Sequence, residues 1–230
     1  MHPHCSLFHI LVGCDVALKQ KRYTWRHDCV LAVLKPVLEE HVSHVNSKVQ
    51  TTSTMRSIKF ISSRTNHCCP HPIVLQADLR NVHILDLAND WQLLIDFDHC
   101  RITFPVEILI TDERPDIIIW SCSSRSVVLV ELTCPAEENI GDACSRKTQK
   151  YTSLCTSIES KGWVVYFFSI EVGCRGFPAR SIPHCLSMLG VDSNISGRLM
   201  RTLSSVVSSC SFTIFRCHNV REWLYQPPNA

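Results

Sequence analysis

Two carboxylates and a lysine stand out by type and spacing. Asp116 follows Pro115 at the head of the apolar run 116–122, and Glu131 lies near the end of a second run, Ser126–Thr133. Fourteen residues separate the two acids. Strand alternation puts Glu131 on the face of Leu129 and Thr133, and a hairpin near 123–126 would bring both carboxylates to one edge of a sheet. Such a pair suits a hard divalent cation such as Mg2+, or Mn2+ in its place, which takes oxygen ligands, keeps several waters and shares a substrate phosphate. Alone the pair is a weak signal, because a Pro-Asp followed at loose spacing by a Glu recurs by chance. An Asp in a turn and a Glu at a strand end, both solvated, is the simpler reading of those two residues.

The following helix changes that balance. With Ile140 at the origin and steps of about 100 degrees, Ala143, Cys144, Lys147, Tyr151, Leu154 and Ile158 all fall within about 60 degrees of it. Lys147 therefore sits near the centre of the stripe that must face the sheet, Lys150 at its edge, and Arg146 away from it. A lysine on a core-facing stripe is unfavourable unless its ammonium meets partners; snorkelling past a thin core is the competing explanation. Two strand carboxylates and an inward-pointing lysine make a triad that one cation and one phosphodiester could fill.

The elements that must position these groups can be read from the pattern. Apolar runs at 108–110, 116–122, Ser126–Thr133 and 163–172 suit strands covered on both faces. A helix is expected from about 137 to 161, ended by Gly162, and two more near Ser181–Leu189 and 196–211. Upstream, Val30, Leu31, Leu34, Val37, Leu38, Val42 and Val45 mark a helix over 28–46, with Asp28 as its N-cap and Pro36 kinking or splitting it. Residues 47–66 contain nine Ser or Thr, four Lys or Arg and no acid, which reads as a solvated basic insertion. The fold class is α/β, a mixed sheet flanked by helices.

Bulk properties narrow the function. Apolar residues make up 45% of the 230-residue chain and charged residues 19%, enough for a packed core and against wholesale disorder. The formal net charge is only +2, so nucleic-acid binding must come from local patches rather than a whole-chain field. Fourteen cysteines accompany no recognisable signal peptide, since the first nineteen residues carry histidines where a basic n-region belongs. Mostly reduced, buried thiols and an intracellular protein are expected.

Arg114-Pro115-Asp116-Ile117-Ile118-Ile119-Trp120, Val130-Glu131-Leu132-Thr133, Arg146-Lys147-Thr148-Gln149-Lys150-Tyr151 and Ile170-Glu171-Val172-Gly173-Cys174-Arg175-Gly176-Phe177 occur in that order. Together they resemble the restriction-like endonuclease at the C-terminus of site-specific non-LTR retrotransposon polyproteins. Upstream, Arg22-Tyr23-Thr24-Trp25-Arg26-His27-Asp28 resembles the segment that follows the CCHC zinc knuckle of related elements, whose last two ligands are spaced like His9 and Cys14. The similarity is patchy over 47–110.

The resemblance implies a PD-(D/E)XK core with extra C-terminal helices over 28–230, preceded over 1–27 by the remnant of a zinc knuckle and a basic-aromatic linker. It implies that Asp116 and Glu131 hold Mg2+ and that a lysine orients the attacking water. The enzyme would nick double-stranded chromosomal DNA in the nucleus, leaving a 3′-hydroxyl that primes reverse transcription, alongside a reverse transcriptase domain and element RNA. The usual lysine, two residues after the acid, is Thr133 here. The resemblance is to a variant whose lysine has moved to the next helix, and the stripe favours Lys147, with Lys150 second. The knuckle is incomplete: only His9 and Cys14 stand at ligand spacing, and His2, His4 or Cys5 would be substitutes at the wrong spacing for Zn2+. A catalytically inactive DNA-binding or interaction fragment of a decayed element is the competing reading.

Other residues carry weaker signals. Lys19, Lys21, Arg22 and Arg26 interleave with Tyr23 and Trp25, as a DNA-contacting segment would, or as a helix start whose Trp25 plugs the core. His67-Cys68-Cys69-Pro70-His71 matches no tetrahedral zinc spacing. Glu39 and Glu40 lie off the apolar stripe of their helix and read as solvated. Asp112 and Glu113 would sit at the cleft mouth. Arg175 would either reach a DNA phosphate from the turn between Gly173 and Gly176 or belong to a purely structural turn.

Overall fold

A computed structural model of the chain describes residues 6–48, 83–96, 103–220 and 222–224. Most of the 47–66 stretch, the 67–71 histidine–cysteine cluster, and His2, His4 and Cys5 lie outside the described residues. After a π-helical turn at His9–Gly13 come helices α1 (Asp15–Lys19) and α2 (Arg22–Ser47). Strands β1 (Gln92–Ile95), β2 (Ile117–Ser121) and β3 (Ser126–Thr133) follow, then α3 (Ile140–Ser160), β4 (Val164–Glu171), α4 (Ser181–Leu189) and α5 (Ser193–Arg216).

The strands form one mixed sheet in sequential order. β1–β2 and β2–β3 are antiparallel, and β3–β4 are parallel. The parallel pair follows from its connection: α3 is the kind of long crossover that returns the chain to the same edge in the same direction. β2 is buried along its whole length and β3 at all but its last residue, because both faces of the sheet are covered. On one face Ile117, Ile119, Val128, Val130 and Leu132 pack against α2, α4 and α5. On the other, Ile118, Trp120, Val127 and Leu129 pack against Tyr151, Leu154 and Ile158 of α3. Each fully buried side chain of this size contributes roughly 1.5–3 kcal/mol, enough to hold α3 on the sheet even with a lysine on its inner stripe.

Three expectations need correction. The run 108–110 is not a strand: Ile108 is buried but Ile110 is exposed, and the chain turns at 106–108. Its place in the sheet is taken by β1, a short run paired with β2 on one side only. Asp28 is not an N-cap. α2 starts at Arg22, after Lys21 in the left-handed region, because Arg22 and Arg26 dock on distant parts of the chain. Arg22 donates to the Cys217 and Val220 carbonyls, and Arg26 to Ser211 Oγ and the Leu11 and Cys134 carbonyls. Pro36 does not split its helix, which runs on to Ser47. The helix crosses the 27/28 line, and Ile10 and Leu11 share a small core with Ala136, Cys174 and Ile214. All ten cysteines among the described residues are free thiols, and no helix there is long and apolar enough to cross a membrane.

Candidate functional site

Sheet register builds the site. Ile118 pairs with Leu129 and Ile117 with Val130; carried one residue further, this sets Asp116 across from Glu131, both on the α3 face. Asp116 lies just outside β2 and is partly exposed. Its Oδ2 accepts a hydrogen bond from the Leu132 backbone N–H at 2.7 Å, which ties the carboxylate to β3. Glu131 is 3% exposed. Lys147 reaches down from α3, and its ammonium donates to Glu131 Oε1. Glu131 Oε2 is buried and has no hydrogen-bond partner.

The electrostatics follow from this placement. Like charges directly opposite each other across a sheet repel. Burial, then the Asp116 carboxylate, push the Glu131 carboxyl above its ordinary value, and Lys147 only partly offsets them. Beneath the pair Tyr151 is fully buried. Its hydroxyl donates to the Arg114 carbonyl at 3.0 Å and accepts from Lys150 Nζ at 2.9 Å. Burial, with Glu131 adding to it, raises the Tyr151 phenol well above its ordinary value, so it stays a neutral donor. Lys150 also lies 4.3 Å from the centroid of that ring. Of the two lysines, Lys147 is the one that meets the carboxylate.

His27 was not singled out by the sequence. Its Nε2 lies 3.3 Å from Asp116 Oδ2 and its Nδ1 3.1 Å from Asp28 Oδ1. Burial works against a charge on His27, but the Asp116 and Asp28 carboxylates outweigh it and hold the imidazole well above its ordinary value. A signal did exist: 27, 31, 34 and 38 continue one helical stripe, so His27 extends the Leu31–Leu34–Leu38 stripe that packs on the sheet.

The other candidate residues are placed as follows. Lys19 and Lys21 are exposed. Arg22 and Arg26 are 1% and 2% exposed and occupied by the internal partners given above, so DNA contact by either is corrected to a structural role. Trp25 packs edge-on to Trp223, with ring centroids 5.2 Å apart. Glu39 and Glu40 are exposed. Arg175 is exposed, but its guanidinium is bonded to Glu137 at 2.7 Å and Glu138 at 2.8 Å. Glu137 also accepts the Arg175 backbone N–H at 2.7 Å. Arg175 thus braces the turn, the structural alternative of the two readings. Gly176, at φ +98, lies so close to α5 that a Cβ would sit 2.7 Å from the Ser204 carbonyl oxygen, which accounts for Gly176 in the Val172–Phe177 motif. Thr133, at the usual lysine position, has a buried hydroxyl without a partner. Glu113 is half-buried beside Asp96, Arg114 and Pro115, and Asp112 is exposed.

His9 and Cys14 gain no further ligand: no group of three His, Cys, Asp or Glu side chains able to hold a metal occurs among the described residues. Among the described residues Asp116 and Glu131 likewise have no third such side chain, so a cation held by them would complete its shell from water and substrate. Mg2+ and Mn2+ are such cations, using one or two carboxylates, and the unpartnered Glu131 Oε2 beside Asp116 fits that donor chemistry. No protein-family model matches the chain, and no curated protein matches it.

Proposed function

We propose that this chain is a Mg2+- or Mn2+-dependent DNA endonuclease domain with a PD-(D/E)XK core, nicking double-stranded chromosomal DNA for target-primed reverse transcription by a non-LTR retrotransposon. The observation that carries the reading is the ammonium of Lys147 meeting the buried Glu131 carboxylate opposite Asp116. Lys147, Glu131 and Asp116 come from α3, β3 and the segment before β2, and a cation bound beside the buried Glu131 Oε2 would offset the about 1–3 kcal/mol that an unpaired buried polar atom costs.

In this reading Asp116 and Glu131 hold the cation, and Leu132 N–H fixes the orientation of Asp116. Bound there, the divalent ion supplies charge neutralisation at the scissile phosphate. Lys147 holds the attacking water and stabilises the negative charge that grows on the phosphoryl oxygens. Water adds to phosphorus in line, the P–O3′ bond breaks, and the 3′-oxygen leaves and is protonated. The products are a 3′-hydroxyl and a 5′-phosphate. Lys150 steadies Tyr151, whose hydroxyl anchors the Arg114–Asp116 segment through the Arg114 carbonyl.

Supercoiled plasmid incubated with the chain and Mg2+ or Mn2+ tests the reading. Conversion to open circles is expected, and Asp116→Ala should lower its rate by about a hundredfold or more. Equal behaviour of wild type and variant refutes it and leaves the non-catalytic DNA-binding or interaction fragment as the better reading.

A further inference from the structure

The geometry points to His27, held by Asp28, as a positioning residue that sets the Asp116 carboxylate for cation binding. This inference rests on the nuclease reading above.

Asp116 lies just outside β2, at a strand end, where a side chain is free to turn. Its Oδ2 is fixed from two directions, by Leu132 N–H at 2.7 Å from β3 and by His27 Nε2 at 3.3 Å from α2. The second contact comes from a rigid element. His27 is followed on the same stripe by Leu31, Leu34 and Leu38, which bury α2 against the sheet. The imidazole is held in turn, because its Nδ1 faces Asp28 Oδ1 at 3.1 Å and Asp28 is 5% exposed. Burying a carboxylate without a partner is unfavourable, and His27 Nδ1 supplies Asp28 with one.

The result is a chain of contacts, Asp28 to His27 to Asp116 to Leu132. It links α2, the segment before β2, and β3, and engages only Oδ2 of Asp116 in the contacts described. Residues that orient ligand carboxylates in this way typically matter by about 10–100-fold in metal affinity or activity. His27 touches neither substrate nor reacting atoms; it acts through Asp116.

The test measures Mn2+ binding to the whole chain by calorimetry or electron paramagnetic resonance, without DNA, together with kcat and KM for plasmid nicking. His27→Ala should weaken Mn2+ binding about 10–100-fold and lower kcat while leaving the plasmid KM unchanged. His27→Gln places an amide donor near the Nε2 position and should recover part of both losses, and it also reports on the site if His27→Ala folds poorly. Asp28→Asn should fall between wild type and His27→Ala. Wild-type Mn2+ affinity and kcat in both His27 variants would overturn the positioning role while leaving the nuclease intact. A wild-type chain that neither binds Mn2+ nor nicks would overturn the nuclease reading, and this role with it.

Discussion

Replacing Lys147 with Met separates the electrostatics of the site from its chemistry. Methionine keeps the apolar stem that packs on the sheet and removes only the ammonium. Glu131 is then left buried, still opposite Asp116, with no counter-charge on Oε1. Stripping one partner from a fully buried pair is destabilising by about 3–5 kcal/mol. Here the Glu131 side chain is 4% exposed but that of Lys147 is 30% exposed, so solvent screening reduces the figure to about 1–3 kcal/mol. At about 2–4 °C per kcal/mol for a domain of this size, a loss near 2 kcal/mol lowers the melting midpoint by about 4–8 °C.

The pH dependence has a definite sign. The folded Glu131 carboxyl lies above its ordinary value because of burial and Asp116, so its ionisation subtracts stability as pH rises through the folded pKa. Lys147 limits that loss. The deficit of Lys147→Met is therefore present above the folded pKa of Glu131 and disappears as pH falls below it. Thermal denaturation of both proteins across the acid range to neutrality measures this. A deficit that persists unchanged in acid, or none at neutral pH, refutes the assignment of Lys147 as the counter-ion of Glu131.

Asp116→Asn should lower the pKa of His27, whose charged form that carboxylate favours, and NMR titration of the imidazole reads the shift directly. The stability His27 contributes is full below its unfolded pKa and lost as pH rises through its raised folded value. Arg26→Ala should lower stability by about 2–4 kcal/mol by removing its bonds to Ser211 Oγ and to the Leu11 and Cys134 carbonyls, measured by urea denaturation. Any DNA affinity of the folded Arg26 variant should keep its salt dependence, whereas Lys19→Ala with Lys21→Ala would reduce the slope if those exposed lysines contact phosphate. Gly176→Ala should lose more than about 1 kcal/mol, since it combines a left-handed backbone with a collision at the Ser204 carbonyl; a melting midpoint equal to wild type would contradict that.

Periodicity made most of the α/β frame legible. The runs that became β2 and β3 are rich in β-branched residues and covered on both sides, that of β4 is half-buried, and Tyr151, Leu154 and Ile158 of the expected stripe face the sheet from α3. β1 was missed because four residues at an edge carry little pattern, while the still shorter run 108–110 mimicked a strand only by composition. The start of α2 was misplaced because nothing local reveals that Arg22 and Arg26 bond to carbonyls and a hydroxyl far along the chain. Basic residues beside aromatics imitate a nucleic-acid surface until tertiary packing shows where they end. Lys147 was readable because a charge on an apolar stripe needs a partner. His27 was legible only as an extension of the Leu31–Leu34–Leu38 stripe, since a histidine there is unremarkable until Asp116 is placed beside it.

The central claim is that Asp116, Glu131 and Lys147 hydrolyse a DNA strand. The most direct measurement treats supercoiled plasmid with wild type, Asp116→Asn and Lys147→Met in Mg2+ or Mn2+, then asks whether a DNA polymerase extends from the nick. Wild type should give open circles with extendable 3′-hydroxyl ends, and each variant should lose about a hundredfold or more in rate. Intact plasmid with wild type, or nicking that survives Asp116→Asn, would contradict it.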